Sequence, residues 1–138
     1  MSDLLTHEEY VALASSLDLP KSPFIDGKYR KGAGPMMATH NPATGEEITK
    51  ISTATDVDVD VAVVKARKAF DQGHWSKQYP AERKEVLIRL CKLITRNRRE
   101  MAVMESLDSG KLICDFELIS IPEATHTIKW YAEATDRL

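Results

Sequence analysis

The sequence predicts a mostly helical chain led by a small β-ribbon, and three observations carry that reading. Between Pro80 and Lys111, the residues Leu87, Leu90, Cys91, Ile94, Met101, Met104 and Leu107 recur at steps of three, four and seven. That spacing sets them on one helical face, which is expected to be buried. A second stripe, Val59, Ala62, Val63, Ala66, Ala69 and Phe70, runs up to Gly73. Ahead of both, Asp26-Gly27 separates Phe24-Ile25 from Lys28-Tyr29. This is the strongest local signal for a tight hairpin, because both turn residues must tolerate positive φ.

The elements follow in order. Thr6-His7-Glu8-Glu9 has the form of a capping box opening a short helix with Tyr10, Leu13, Ala14 and Leu17 on its apolar side, ended by Pro20 and Pro23. The hairpin comes next, then loop material at Lys31–Pro35. Met36 to Thr39 can be extended before Asn41-Pro42-Ala43-Thr44-Gly45 turns the chain. Glu47 to Thr53 alternates as a strand does. Thr55 or Asp56 can cap the second helix, and Asp56, Asp58 and Asp60 complement its positive end. Pro80 suits the first position of the long helix and Gly110 its exit, with a kink or break where the stripe turns polar at Thr95 to Arg99. Leu112 to Ser120 shows no clear period. Pro122 opens a last helix with Ala124, Ile128, Tyr131 and Ala132 on one face, and its pattern runs on to Asp136-Arg137-Leu138, which reads as a truncation.

At 138 residues the chain fits one domain able to bury roughly two-thirds of its unfolded surface. Its 43% hydrophobic and 29% charged residues are those of an ordinary soluble protein. Nineteen basic against 21 acidic residues leave a net charge of −2, with no general attraction to nucleic acid or an anionic membrane. No apolar run approaches the ~18 residues of a membrane span. The acidic start MSDLLTHEEY lacks the basic flank and apolar core of a secretory signal. Two cysteines make no disulfide framework, so a cytoplasmic location is expected.

Little local chemistry stands out. Asp56, Asp58 and Asp60 imitate the start of a calcium loop, but Val61 and Arg67 occupy the positions that require glycine and glutamate. His7, His40, His74 and His126 are scattered, with no metal-ligand spacing. Cys91 is expected to pack as a small hydrophobe, and nothing near Cys114 suggests a base or an oxyanion donor. Gly110-Lys111 is followed by Leu112 and lacks the earlier glycine of a phosphate loop. Arg96, Arg98 and Arg99 read as a solvated helix face beside Glu100 and Glu105.

Several stretches, taken in order, resemble the N-terminal part of the aldehyde dehydrogenase superfamily. They are Phe24 to Tyr29, Asn41 to Glu46, Ala66 to Phe70 with Trp75, the Arg83 to Ile94 helix, Glu105-Ser106-Leu107-Asp108-Ser109-Gly110-Lys111, and Trp130-Tyr131-Ala132. Each is weak alone, and their order and spacing make the set specific. The subgroup looks closest to γ-glutamyl-aminoaldehyde or betaine-aldehyde dehydrogenases. Leu112 departs from the family, which usually has proline after Gly-Lys.

The resemblance implies an α/β parent fold. This portion would be an incomplete part of its cofactor-binding domain, mostly helical with an N-terminal β-hairpin or ribbon. Residues 1–138 would form a single partial domain, with a lead-in over 1–23, a ribbon over 24–53 and helices over 56–138. In such enzymes a cysteine thiolate attacks the aldehyde, hydride passes to NAD or NADP, and a glutamate activates water to release the acid. Neither Cys91 nor Cys114 matches the nucleophile's position, so no catalytic or cofactor-binding residue carries over, and no cofactor is expected for this chain alone.

Two carry-overs remain. Thr39 and Asp108 match residues near a structural monovalent cation, although Asp108 also fits a plain helix end. Ile119 and Glu123 match the substrate passage, where Glu123 would attract a cationic aminoaldehyde or simply sit solvated at a helix start. The expected partners are the remainder of such a chain or further copies in a homo-oligomer, with a small aldehyde as substrate of the parent. The leading expectation is an N-terminal fragment inactive by itself, with an exposed apolar patch. The alternative is a non-catalytic interaction module that binds a full-length or complementary dehydrogenase chain.

Overall fold

A computed structural model describes residues 4–135 and 137. Contacts group the chain into two compact units. One holds the chain up to Asp18, Asn41–Thr44 and everything from Tyr79 onward; the other holds Leu19–His40 and Gly45–Gln78.

The second unit is built on two antiparallel pairs. β1 (Phe24–Ile25) and β2 (Lys28–Tyr29) are joined by Asp26 and Gly27 at φ 57° and 76°, the double positive φ that the sequence demands of its two-residue turn. Phe24 and Tyr29 pair across it edge to face at 5.1 Å. β3 (Met36–His40) pairs with β4 (Glu47–Ser52) from Met36 opposite Ser52 to His40 opposite Glu47, with a bulge between Thr39 and His40. The Lys31–Pro35 loop is fastened by side chains. The buried Ser52 Oγ accepts from the Gly32 N–H (3.0 Å), and the Thr53 Oγ1 hydroxyl donates to the Pro35 carbonyl (2.7 Å).

In α2 (Asp56–Gln72) the Asp58 carboxylate accepts from the Thr55 N–H (2.8 Å) and from the Ala33 N–H in that same loop (3.0 Å). Gly73 closes the helix at φ 78°. The predicted stripe of α2 is helical but not covered: no described residue of the helix is buried, and Val59, Val63 and Phe70 are all exposed.

The first unit is helical. α1 (His7–Ser16) opens on the predicted capping box, with the Thr6 N–H donating to Glu9 (2.7 Å) and the Glu9 N–H to Thr6 Oγ1 (3.3 Å). The long helical stretch is two helices, α3 (Pro80–Arg96) and α4 (Arg98–Ser109), broken at Asn97 with φ −99° and ψ 22°. Pro80 stands at the entry and Gly110 closes the end at φ 73°, as read from sequence. The expectation of a buried face needs correcting along both helices: Leu87, Cys91 and Ile94 of α3 and Met101, Met104 and Leu107 of α4 are half-buried, and Leu90 is 42% exposed. The tight packing falls on α4, where Ala102 and Val103 are buried, and on α6, where Ile121 and Ala132 are buried.

The segment without a clear period is helical as well. α5 (Ile113–Asp115) leads into a π-helical turn (Phe116–Ser120) and then α6 (Ile121–Ala134). Pro122 therefore lies inside a helical run. It lacks an N–H and its ring crowds the preceding turn, and the wider π-turn ahead of it gives the ring room. α6 packs on α3, and α4 packs on α1 and on the π-turn. Among the described residues no helix is long and apolar enough to cross a membrane. Met1, Ser2, Asp3, Asp136 and Leu138, on which the leader and truncation readings partly rest, lie outside the described residues.

Gly32 provides a test of the second unit. A Cβ there would lie 2.1 Å from the Thr53 carbonyl oxygen, a backbone atom held in the β4 exit. Gly32→Ala is expected to lower stability by about 1–3 kcal/mol or more in chemical denaturation. Gly45→Ala, where φ is 76° but the space is open, should cost only about 1 kcal/mol.

Candidate functional site

The π-turn is held by side chains from α1, α4 and the segment after Gly110. Glu117 lies in it at 3% exposure. The Tyr10 hydroxyl of α1 donates to Glu117 Oε2 at 2.7 Å, and Arg98 Nε of α4 donates to Oε1 at 3.1 Å. Arg99 Nε lies 3.6 Å from the same oxygen. The Leu5 N–H in turn donates to the Tyr10 hydroxyl oxygen at 3.3 Å. A buried carboxylate is costly unless paired and hydrogen-bonded, and here both oxygens are engaged. Burial, then the Glu117 hydrogen bond, pushes the Tyr10 hydroxyl pKa above its ordinary value. Lys111 ties the other side of the turn, with Nζ donating to Ser120 Oγ at 2.6 Å and standing 5.7 Å from the Phe116 ring centre.

This corrects the reading of the arginine run as a solvated face. Arg98 and Arg99 turn inward to Glu117, with side-chain exposures of 29% and 35%. Sequence reasoning missed Glu117 because its two sets of partners lie 107 and 19 residues away, and no local spacing links them.

The site residues expected from sequence fall as follows. Ile119, in the π-turn, is 51% exposed, and Glu123 is exposed in the first turn of α6. Thr39 lies on β3, its Oγ1 donating to the Thr49 carbonyl at 3.3 Å, while Asp108 is exposed in the last turn of α4. A carboxylate there faces the negative end of its own helix, a placement that favours a cation beside it. Thr39 and Asp108 belong to different compact units.

Among the described residues no cluster of three His, Cys, Asp or Glu side chains is arranged to hold a metal. The half-buried Cys91 directs its thiol at the Thr125 carbonyl (3.5 Å), and Cys114 lies 3.8 Å from the Asp115 carboxylate. Both partners are acceptors, a carbonyl and a carboxylate, so neither contact supplies an oxyanion donor.

The connection from β4 into α2 is electrostatically unfavourable for a phosphate. A phosphate held at a helix start needs free amides and a positive end. Here the first turn carries Asp56 and Asp58, and the Asp58 carboxylate already takes the Thr55 and Ala33 N–H groups. Those hydrogen bonds, the Thr55 backbone first, hold the Asp58 carboxyl below its usual pKa.

Residues 29–138 match the model of the aldehyde dehydrogenase family, and the chain belongs to that family. Over its whole length it is 45% identical to the aminoacetaldehyde dehydrogenase of Pseudomonas aeruginosa, and over 91% of its length it is 39% identical to the NADP/NAD-dependent aldehyde dehydrogenase PuuC of Escherichia coli. Among solved structures, the γ-glutamyl-γ-aminobutyraldehyde dehydrogenase of Burkholderia cenocepacia superposes with a TM-score of 0.92 at 35% identity, covering 97% of this chain. An indole-3-acetaldehyde dehydrogenase in complex with NAD+ superposes with a TM-score of 0.93 at 35% identity, covering 98% of it. The chain spans 28% and 26% of the length of these two curated relatives, and 27% and 28% of these two structures. Its helices and antiparallel ribbons are those of part of an aldehyde dehydrogenase domain.

The Glu117 cluster yields a prediction with a defined sign. The raised Tyr10 pKa means the neutral phenol stabilises the fold. That contribution is complete below the ordinary tyrosine value of about 10 and is lost as pH rises through the higher folded value. In thermal melts, Tyr10→Phe should remove this alkaline loss and lower stability at neutral pH by about 1–3 kcal/mol, because Glu117 Oε2 loses its donor.

Proposed function

We propose that this chain is the N-terminal portion of a cytoplasmic, NAD(P)-dependent aldehyde dehydrogenase that oxidises a small aldehyde to its acid, and that alone it is inactive. In this reading residues 1–138 are part of one larger domain. The nucleophilic cysteine, the water-activating glutamate and the dinucleotide cradle belong to the remainder, which also supplies the partner surface, together with further copies in an oligomer. The observation that carries the proposal is 45% identity over the whole chain to an enzyme of which it spans only 28%. The thiol contacts of Cys91 and Cys114, which include no oxyanion donor, and the acidic first turn of α2 support inactivity of this portion.

Aminoaldehydes are the proposed substrate class, since an aminoacetaldehyde and a γ-glutamyl-γ-aminobutyraldehyde dehydrogenase are among the similar proteins. Ile119 would line the passage to the reacting centre, and Glu123 would draw the substrate's cationic end towards it. The Thr39 carbonyl and the Asp108 carboxylate, each by its match to the family, are hard oxygens proposed as monovalent-cation ligands.

A second reading is an interaction module that docks on a full-length or complementary dehydrogenase chain. The exposed apolar side chains Val57 and Val64 of α2 and Trp130 and Tyr131 of α6 favour it. The downstream reading frame separates the two: a continuation carrying the Cys and Glu motifs supports the first reading, and a natural stop the second.

The catalytic test is NAD(P)H formation at 340 nm by the purified 138-residue chain, with aminoaldehydes and other aldehydes and each cofactor. No turnover above a mock preparation is expected, with activity appearing on reassembly with the remainder of the enzyme; turnover by the chain alone overturns the proposal. For the cation, exchanging potassium or sodium for a bulky organic cation at constant ionic strength should lower the melting temperature. Asp108→Ala should abolish that difference, whereas an unchanged difference removes Asp108 as a ligand.

A further inference from the structure

The groove between α3 and α6 takes no part in the readings above. Its floor is formed by Ile88, Cys91 and Pro122, its walls carry Lys92, Arg96 and Lys129, and it encloses about 700 Å³. His126 adds a fourth basic side chain to the rim, and among the described residues no carboxylate lines the groove. Lys129 approaches Glu133 at 3.9 Å, an exposed pair one turn further along its own helix, and such pairs are weak. Among the described residues no ion pair is formed by Lys92 or Arg96. The chain as a whole carries a net charge of −2, so this concentration of positive charge is local.

The cationic row extends along α3. Arg89, Lys92 and Arg96 follow at steps of three and four beside Leu93, which is 46% exposed. Like charges at that spacing repel weakly on an isolated helix, and an anion placed beside the row would relieve that repulsion. The walls at Lys92, Arg96, His126 and Lys129 are all exposed, so the groove is an open trench. Small-molecule sites instead bury most of their ligand. From Ile88 to Arg96 the trench wall runs about 12 Å at 1.5 Å per residue, matching roughly two turns of a docked helix.

We propose that the α3–α6 groove docks an acidic amphipathic peptide segment of a partner protein, its apolar side chains entering over Ile88 and Cys91 and its carboxylates meeting Lys92, Arg96 and Lys129. Charge complementarity selects this occupant over a basic or neutral segment, and the apolar floor selects it over a simple polyanion. None of these residues belongs to the proposed cation or passage sites, and the inference rests on the groove staying open when the rest of a longer chain is present.

The test uses a fluorescein-labelled synthetic helical peptide with leucines on one face and glutamates flanking them, titrated into the 138-residue chain by fluorescence anisotropy. Location is read from the alkylation rate of Cys91 in a Cys114→Ser background. Saturable binding that slows Cys91 alkylation several-fold is expected. The pair K92E and R96E, both at exposed positions, should weaken binding by at least about tenfold through charge repulsion while the far-UV spectrum stays unchanged. The same peptide with lysine in place of glutamate should not bind. The proposal is overturned by absence of binding, by equal affinity for the charge-reversed variant, by unprotected Cys91, or by decanoate alone protecting Cys91 while the peptide does not, which would make the groove a site for small amphiphilic anions.

Discussion

A carboxylate without water holds the helical unit in register. Glu117 is buried, and its compensation comes from three side chains at two places in the sequence: Tyr10 in α1, and Arg98 and Arg99 at the start of α4. Each must be in position or the carboxylate is left partly uncompensated, at a cost of about 1–3 kcal/mol for a lost hydrogen bond and more for a lost guanidinium. The arrangement fixes how α1 and the π-turn sit on α4. It also explains how a π-turn, with its poorer hydrogen-bond geometry, persists in this helical run. The turn carries Glu117 inward, makes room for Pro122 and turns Leu118 and Ile119 out to the surface.

The ribbon unit solves a related problem with neutral groups. Two short antiparallel pairs leave many backbone groups without a ladder partner, and the Lys31–Pro35 loop would add more. Ser52, Thr53 and Asp58 take them up. Ser52 bridges the loop and the chain at Lys21, whose carbonyl accepts the Ser52 N–H at 2.9 Å; Thr53 holds Gly34 and Pro35; Asp58 caps α2 and the Ala33 N–H together. Gly32 is glycine because the Thr53 backbone passes where its Cβ would be. Asp26 serves its turn through a positive φ and binds Lys65 of α2 at 2.9 Å, joining the hairpin to the helix.

What the sequence made legible was whatever is decided within a few residues. The Thr6–Glu9 box, the Asp26-Gly27 turn, the Pro80 entry, the Asn97 break and the left-handed Gly73 and Gly110 are all local chemistry, and each stands where the sequence placed it. The π-turn was illegible because its cause is long-range. Pro122 stands in the first turn of α6, as its residue type suggests, but nothing local announces the π-turn that precedes it. The arginine run reads as solvent-facing for the same reason. Of the site residues, Ile119 and Glu123 were reached by resemblance and are found at the surface, whereas Glu117, two positions from Ile119, carried no signal that periodicity could detect.

The apolar stripes show a different limit of periodicity. A spacing of three and four states that a face is suited to burial, not that the same chain covers it. On α2 the valines alternate with aspartates, and Val57 is 70% exposed with no buried residue anywhere on the helix. Among the described residues the buried hydrophobic side chains are Tyr10, Ala102, Val103, Ile121 and Ala132, two of them alanines with little area to contribute. At roughly 25 cal/mol per Å² of apolar surface, so small a set supplies only a minor part of what a chain of this length normally draws from its core. Cohesion here therefore rests heavily on the Glu117 cluster, the helix caps and the side-chain-fastened loop. An outside surface that covered α2 would add stability in direct proportion to the apolar area it removed from water.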